Sequence, residues 1–448
     1  MSCKKILLPI LILFGLSAAP LHAEDTPPVP ATWTVREAIN YALRNSPDVR
    51  ITLERIKGAR AAVDAAQSAC YPSIGLSAGY SRTNNPMYSF GNILNQGQFT
   101  SNIDFNKPGI SDDLNLTTTL LYRIYNGGND KAAIQAALAS EEAARFDQAA
   151  IHSRLGFEVV RSFYSIVQAE ENVQARQSAL RAITVSVDTA RARFDAGDLL
   201  KADLLNLEVQ QSLASENLIR ARHGLELTRR GFLNLLGLKQ QPLEIDTAEQ
   251  PEQPVPEHPT CEQRAELAGL AALYRSAEAQ VRQAEAGYYP TADIFGSYQM
   301  DKGFEFDEGS GNSWMTGIKL NYTLFNGNRT SAEISRATAK LGEIRQQQHK
   351  LELAYSYEIE QASLILQQAE QRLRVTRKMV EQAVESARLS REQFSEGVLL
   401  TSDLIAVENR LTDARVHNLM ARTNRRIAIA DLRRASGLSQ FEDAAPDE

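Results

Sequence analysis

The sequence predicts a mainly α-helical chain that also carries membrane-type β-strands. Three observations predict this class: a short motif occurs twice, each copy lies between two long helical segments, and a pair of alternating strands precedes each long helix. An internal duplication has to be recognised first, because it decides how every other element is interpreted.

The motif reads F-x-x-G-x-L-L-x-x-D-L and occurs at residues 194–204 and 394–404, which lie 200 positions apart. Its glycine tolerates a positive φ and can therefore end a helix. Its aspartate favours the positive start of the following helix. Each copy predicts the tip of a helical hairpin, at 195–200 and 395–400. An ordinary helical corner explains one copy, but two copies at a fixed offset indicate a duplication.

The duplication divides the chain into a first structural repeat at 24–238 and a second at 261–438, joined by a proline-rich, acidic linker at 239–260. In the first repeat we predict the following elements: strands at about 72–81 and 113–124, a long helix at 128–194 and a return helix at 201–236. In the second repeat they are strands at about 290–299 and 314–325, a long helix at 328–394 and a return helix at 401–436. Residues 81–112, rich in Asn, Gly, Ser and Asp, are predicted to be a long loop.

The long helix of the first repeat has the pattern of a coiled coil. Between Asn129 and Phe194 there is no proline, and apolar residues recur at steps of seven. These residues are Ile166, Val173, Leu180, Val187 and Phe194. A helix of this size is about 100 Å long at its rise per residue, far longer than an ordinary globular helix.

The two ends of the chain differ from the repeats. Lys4 and Lys5 precede an apolar stretch from Ile6 to Leu16, which predicts a signal peptide at 1–23 that ends at Ala23. Its removal takes away two lysines, so the formal charge goes from −7 to about −9, which disfavours nucleic acid as a partner. We predict a disordered acidic tail at 439–448. No later run reaches the roughly 18 apolar residues of a membrane helix.

The predicted strands alternate between two kinds of residue. Ile74, Leu76 and Tyr80 lie on one face and Gly75 and Gly79 on the other. This alternation over about ten residues is typical of outer-membrane strands. Five aromatic residues on the apolar faces are predicted to form a girdle near the strand ends: Tyr80, Tyr122, Tyr298, Trp314 and Tyr322.

Four strands are too few to close a membrane barrel, because the smallest such barrels have about eight. Several chains must therefore contribute strands to one barrel, which predicts a symmetric oligomer. A sheet outside the membrane explains each strand alone, but it does not explain why strand pairs alternate with helices of this length.

The sequence offers little for an enzyme. None of its six histidines has the spacing of a metal site, and no cysteine pair has ligand spacing. Nucleophile-elbow, phosphate-loop and dinucleotide motifs do not occur in a strand-to-helix context. We expect no catalytic activity, no cofactor and no bound metal.

The order of these elements resembles the TolC-type outer-membrane efflux channel family, the outer-membrane factors of tripartite efflux and type I secretion systems. The signal peptide, the two strand-pair and long-helix repeats and the doubled tips carry the resemblance, which covers about 34–438. It implies a homotrimer with a 12-stranded barrel in the outer membrane of a Gram-negative bacterium. Twelve helices would form a periplasmic α-barrel tube. The chain would be a passive exit duct for substrates delivered by a periplasmic adaptor (membrane fusion) protein and an inner-membrane pump, driven by protons or ATP.

Exposed leucines at a hairpin tip indicate a surface for a partner protein. The predicted adaptor-docking residues are Gly197, Asp198, Leu199, Leu200, Gly397, Val398, Leu399 and Leu400. Packing of these side chains within the chain is the alternative.

The resemblance also implies a pore gate at the tips. The residue matching the family's pore-facing acid is Asp403, and the residue matching an acid of its closing network is Asp203. The chain departs from the family at Leu399, where an arginine can join the closing network, and at Ala406, where a second pore acid occurs. An aspartate in the first turn of a helix is also simply a favourable partner of the helix dipole.

Two other functions stay open at this point. A type I protein-secretion duct would have the same channel architecture, because the pump selects the cargo. A periplasmic coiled-coil scaffold without a barrel would explain the helices but not the alternating strands.

Overall fold

A computed structural model describes residue 30 and residues 32–239, 241–246, 253–305 and 308–441. The predicted signal peptide and residues 442–448 of the predicted acidic tail lie outside these ranges. The described residues fall into two compact units, one made of 56–143 and 270–346 and the other of the remainder.

Helices make up most of the described chain. They are α1 Val35–Asn45, α2 Pro47–Gln67, α3 Pro86–Asn95, α4 Asn129–Asp195, α5 Lys201–Leu235, α6 Ala265–Glu285, α7 Arg329–Ser395 and α8 Thr401–Ala435. The strands are β1 Thr32–Trp33, β2 Ser73–Thr83, β3 Ser111–Tyr125, β4 Glu244–Ile245, β5 Thr291–Lys302 and β6 Ser310–Asn321. Within the ranges that the structure describes, no helix is both long and apolar enough to cross a membrane.

The first unit is built around a four-stranded antiparallel sheet in the order β2-β3-β5-β6. Residues paired across neighbouring strands share a face. One such row joins Leu76, Thr118, Tyr298 and Trp314. Alternate rows, such as the one through Asn115 and its partners, carry mainly polar residues and glycines. The sheet therefore has one largely apolar and one largely polar face.

The part of the chain that the structure describes leaves the apolar face of the sheet uncovered. Ile74, Leu76, Trp314, Ile318 and Leu320 are each between 54% and 75% exposed. Apolar side chains in alternating register on an exposed sheet face are expected to contact an apolar surrounding.

The prediction of a continuous loop over 81–112 is wrong for part of this stretch. Its first residues extend β2, and residues 86–95 form helix α3, which is capped by the Asn85 side chain accepting from the Met87 backbone N–H at 3.1 Å. Pro86 stands in the first turn, where its missing N–H costs nothing. The high content of Asn, Gly and Ser concealed this capped helix.

The second unit contains α5, α8 and most of α4 and α7. Helices α4 and α7 both have 67 residues, and α5 and α8 both have 35, so the duplication preserves the lengths of both hairpins. Buried residues also repeat at the offset of 200. Val159, Ile166 and Phe232 lie in one core cluster, and their counterparts Ile359, Leu366 and Leu432 lie in another.

Two short strands complete the first of these clusters. Thr32 and Trp33 of β1 pair in parallel with Glu244 and Ile245 of β4, so part of the predicted irregular linker is a strand. The Trp33 ring is 1% exposed and lies edge-on to Phe232, with ring centroids 6.4 Å apart. A capping box between Thr34 and Glu37 begins α1.

An ionic network centred on the buried Arg264 joins α6, α7 and α8 in the second unit. The Arg264 guanidinium is 6% exposed, forms ion pairs with Glu266 and Glu358, and stacks 3.7 Å from the centroid of the Tyr355 ring. Arg434 reaches the same Glu358 carboxylate at 2.7 Å. Burial alone would raise the pKa of Glu358, but the hydrogen bonds and charges of Arg434 and Arg264 outweigh it and hold this pKa below its ordinary value.

The depressed pKa of Glu358 predicts acid-sensitive folding. A carboxylate with a lowered pKa in the folded state stabilises the fold above its ordinary pKa of 4.5, and this stabilisation is lost as the pH falls below that value. Replacing Glu358→Gln should destabilise the fold at pH 7 by about 1–3 kcal/mol, because the buried Arg264 and the half-buried Arg434 lose a charged acceptor. The variant should also lose less stability on acidification than the unmodified protein.

Thermal denaturation followed by circular dichroism at pH 7 and pH 4 measures both effects. Glu385→Gln is the matched control, since Glu385 also pairs with an arginine on α7 but is exposed, where ion pairs contribute little. Equal denaturation temperatures for the two variants would contradict a stabilising role for the network.

Candidate functional site at the hairpin tips

The first tip turns the chain within five residues. Helix α4 ends at Asp195, and Gly197 adopts a φ of +86°, so the prediction of a left-handed glycine is confirmed. The Asp198 backbone N–H donates to the Arg193 carbonyl at 2.8 Å, and the Gly197 N–H donates to the Phe194 carbonyl at 3.0 Å. These two bonds form a Schellman motif, which satisfies carbonyls at the helix end.

The second tip repeats this geometry. Gly397 has a φ of +76°, and its N–H donates to the Phe394 carbonyl at 3.1 Å. The Val398 N–H donates to the Gln393 carbonyl at 2.9 Å. Helices α5 and α8 then start after Leu200 and Leu400, which stand at the N-cap without a side-chain hydrogen bond.

The apolar positions of the two motif copies pack together below the tips. One buried cluster contains Leu204, Phe394 and Leu404, with Phe194 partly buried against it. Leu199 and Leu399 also pack against this cluster, so these two predicted docking residues contribute to packing within the chain. The motif therefore holds the two hairpins to each other at this end.

Three of the predicted docking residues project from this cluster instead. Leu200, Val398 and Leu400 are 73%, 78% and 69% exposed. Gly197, Asp198 and Gly397 are exposed beside them. The tips thus present an apolar surface that the described part of the chain leaves uncovered.

An ion pair below each tip was missed in the sequence. Arg191 of α4 pairs with Glu208 of α5 at 2.7 Å, and Arg391 of α7 pairs with Glu408 of α8 at 2.5 Å. The offset of 200 between the two pairs was a readable signal. The second pair is bidentate and its Glu408 side chain is 11% exposed, whereas the Glu208 side chain is 37% exposed.

Arg193 connects the two tips to each other. Its Nη1 donates to the Phe394 carbonyl at 3.0 Å, and its guanidinium lies 5.5 Å from the centroid of the Phe394 ring. A Cβ atom on Gly397 would lie 3.1 Å from Arg193 Nη2. No pattern in the sequence predicts this bridge, because the position matching Arg193 in the second repeat is Gln393.

The two predicted gate acids lie in the first turns of α5 and α8, as the sequence predicts. Asp203 is half-buried and Asp403 is exposed. Neither carboxylate has an ion-pair partner among the residues that the structure describes. Leu399 and Ala406, where the chain departs from the family pattern, are both half-buried.

The predicted girdle residues share the apolar face of the sheet, apart from Tyr322, which follows the end of β6. Tyr80 pairs with Leu114 near the start of β3, and Tyr122 lies near its other end. Tyr298 pairs with Trp314 in the row of Thr118, which is four positions along β3 from each of these two rows. The position of this pair relative to a membrane surface therefore depends on the strand tilt.

No group of three or more metal-ligand side chains occurs within the described ranges of the chain. The tips offer apolar side chains, two carboxylates and backbone turns, which suit protein contact and ion attraction rather than a chemical reaction.

The sequence matches the outer membrane efflux protein family over residues 38–238 and 260–438. It is 30% identical over 333 residues to Protein CyaE of Bordetella pertussis, a match that covers 69% of this chain and 65% of CyaE. It is 26% identical over 196 residues to the outer membrane efflux protein BepC of Brucella suis, covering 42% of each chain. The aligned part of the chain spans less than two thirds of the length of both relatives.

The structure is also similar to that of the Campylobacter jejuni CmeC outer membrane channel. The TM-score is 0.78 at 16% identity, and the match covers 92% of this chain and 87% of CmeC. At this identity the likeness establishes a common fold, while the family match covers most of both repeats. The chain therefore belongs to the outer membrane efflux protein family, a family of non-enzymatic channels of the Gram-negative outer membrane.

Proposed function

We propose that three copies of this chain form an exit duct that conducts substrates passively across the periplasm and the outer membrane. Twelve strands would close a barrel in the membrane, and twelve long helices would form the periplasmic tube. The observation that carries the proposal is the four-stranded sheet with an exposed apolar face.

The edges of the sheet support assembly from several chains. In the sheet order, β2 and β6 are edge strands, each with backbone groups that have no strand partner on one side. In a membrane such groups have to be paired, which only a closed barrel achieves for strands. Pairing β6 of one chain with β2 of the next closes a ring, and three chains give twelve strands.

The two faces of the sheet test this assignment. Ile318 on the apolar face and Met315 on the polar face are 71% and 60% exposed. In a lipid-embedded barrel, Ile318→Arg should cost about 2–4 kcal/mol near the middle of the bilayer, whereas Met315→Arg faces water in the lumen. We expect the first variant to lose most of its membrane-extracted trimer and the second to keep it.

Heat-modifiable gel migration after membrane fractionation measures the trimer. The two variants add the same charge to neighbouring exposed positions, so each controls for the other. Equal trimer yields, or recovery of the unmodified protein without detergent, would favour a periplasmic coiled-coil scaffold instead.

The exposed apolar tips support a contact with a periplasmic adaptor, itself bound to an inner-membrane pump. Leu200 and Leu400 are suited to a sharp test, because they occupy uncapped N-cap positions. Leu200→Ser and Leu400→Ser remove apolar surface and at the same time supply a favourable cap, worth about 1 kcal/mol to the helix. A loss of function in these variants therefore cannot be attributed to an unfolded tip.

We expect the double variant to lose most of its export and its crosslinking to the adaptor, with the trimer level in the membrane unchanged. Drug susceptibility and in-cell crosslinking measure the two effects. Ser402→Ala, an exposed change beside the second tip that removes no apolar surface, should behave like the unmodified protein. Normal crosslinking in the double variant would remove the docking proposal.

The position of Asp403 supports a ring of three carboxylates at the periplasmic mouth of the duct. Such a ring would attract cations, because like charges in a narrow mouth concentrate counter-ions. The half-buried Asp203 would instead help to hold the helices closed. These two roles predict changes in different quantities of single-channel recordings.

We expect Asp403→Asn to weaken the block of single-channel current by divalent or trivalent cations added from the periplasmic side. Asp203→Asn should raise the baseline conductance and leave the cation block in place. Asp198→Asn, at an exposed acid of the first tip, should change neither quantity. Unchanged cation block in Asp403→Asn channels would show that this carboxylate does not line the pore.

A further inference from the structure

We propose that residues 84–110, which we call the outer lid, fold across the polar face of the sheet and narrow the outer end of the duct. This inference rests on the proposed function, since it takes the polar face as the lining of the lumen. The outer lid connects β2 to β3 and includes α3.

The outer lid lies at the end of the sheet that is remote from the helices. The strand ends at Ser73, Tyr125, Thr291 and Asn321 are the ones that adjoin helices α2, α4, α6 and α7 along the chain. The opposite strand ends, at Thr83 and Ser111, are the ones that the lid connects. In an outer-membrane barrel with a periplasmic helical tube, this end faces the cell exterior.

The register shows which face the lid covers. Gln96 donates through Nε2 to the Asp113 carboxylate at 3.2 Å, and Asp113 alternates with Leu114, which lies on the apolar face. Asp113 therefore lies on the polar face. Gln96 is 2% exposed, and the same Nε2 also donates to the Asp112 carbonyl at 2.7 Å.

Three glycines in the second repeat allow the lid to approach the sheet closely, because they have no side chain. A Cβ atom at Gly303 would overlap the Gln96 side chain, one at Gly309 would overlap Gln98, and one at Gly311 would overlap the Asn95 carbonyl. Gly311 pairs with Asp301, which in turn pairs with Asn115, so this row belongs to the polar face. Contact this close shows that the lid lies directly on the strands that would line the lumen.

Several contacts hold the lid in one conformation. Asn92 donates through Nδ2 to Ser111 Oγ at 3.1 Å, and Ser89 Oγ donates to the Gly109 carbonyl at 2.9 Å. Ile93 of α3 is fully buried. An aromatic cluster connects α3 to the rest of the lid, with ring centroids 4.5–6.0 Å apart. Its members are Phe90, Phe99 and Phe105.

The corresponding connection of the second repeat is too short in sequence to form a segment of this size. It lies between Lys302 and Ser310. Each trimer would therefore carry three lids, one per chain, alternating around the mouth with three short loops. A segment of this size lying inward from the barrel wall reduces the open cross-section of the duct.

The test uses a cysteine reporter below the lid. Ser77 lies on the polar face, six positions from the lid end of β2, and is exposed. In a Cys70→Ser, Cys261→Ser background, we expect a bulky maleimide added to intact cells to label Ser77→Cys slowly. Adding Gln96→Ala should raise the labelling rate about tenfold, because losing a hydrogen bond to a charged group changes an equilibrium by about that factor.

Two control variants define the result. Asn102→Ala, an exposed change within the lid, should leave the labelling of Ser77→Cys unchanged. A reporter on the lid itself, Thr100→Cys, should label at the same rate with and without Gln96→Ala. Labelling of Ser77→Cys that does not respond to Gln96→Ala would overturn the proposal.

A reversible staple gives a second measurement. Gln96→Ala should raise single-channel conductance, and an added Asn92→Cys, Ser111→Cys pair should restore the original conductance when oxidised and lose this effect on reduction. Unchanged conductance in Gln96→Ala channels would also contradict the lid. If no variant conducts current but the labelling of Ser77→Cys still responds to Gln96→Ala, the proposed duct function is contradicted, whereas the proposed position of the lid on the polar face is supported.

Discussion

The left-handed turn at each hairpin tip is the constraint on which the rest of the structure depends. A helix of 67 residues with an apolar stripe is stable in water only if another helix covers that stripe. Gly197 and Gly397 reverse the chain within a few residues and so place the return helix against the outgoing one. The two turns also bring the apolar positions of both motif copies into one cluster around Phe394.

Periodic features were predictable from the sequence because they depend on neighbours along one element. The long helices, the tip glycines and the acids in the first helical turns are of this kind. Helix α3 was missed because its stability comes from contacts with residues outside the helix. One example is the hydrogen bond from Gln96, which follows α3, to the Asp112 carbonyl at the start of β3. The β1–β4 pair was missed for a similar reason, since two-residue strands carry no periodicity.

The contacts at the tips also differ in whether the sequence could predict them. The exposed Leu400 and the half-buried Leu399 are adjacent and chemically alike, so composition alone could not assign one to a surface and the other to a core. The hydrogen bond from Arg193 to the Phe394 carbonyl joins residues about 200 positions apart, so no periodic pattern in the sequence could predict it. Only the arrangement of the two hairpins brings these groups together.

The two repeats have kept their backbone and diverged in their side chains. Arg193 has no arginine counterpart in the second repeat, and Glu408 is more buried than Glu208. Tyr355, which stacks on Arg264, replaces the Leu155 of the first core cluster. The two hairpins of one chain therefore present different side chains at matching positions.

The pairing of β1 with β4 has a consequence for the order of folding. It joins residues that lie 212 positions apart, from Thr32 to Glu244. A chain that emerges from the ribosome or a translocation pore with its N-terminus first exposes Trp33 long before its strand partner appears. The indole ring can be fully enclosed only after the whole first hairpin has emerged, so closure of this cluster is a late, length-dependent event in maturation.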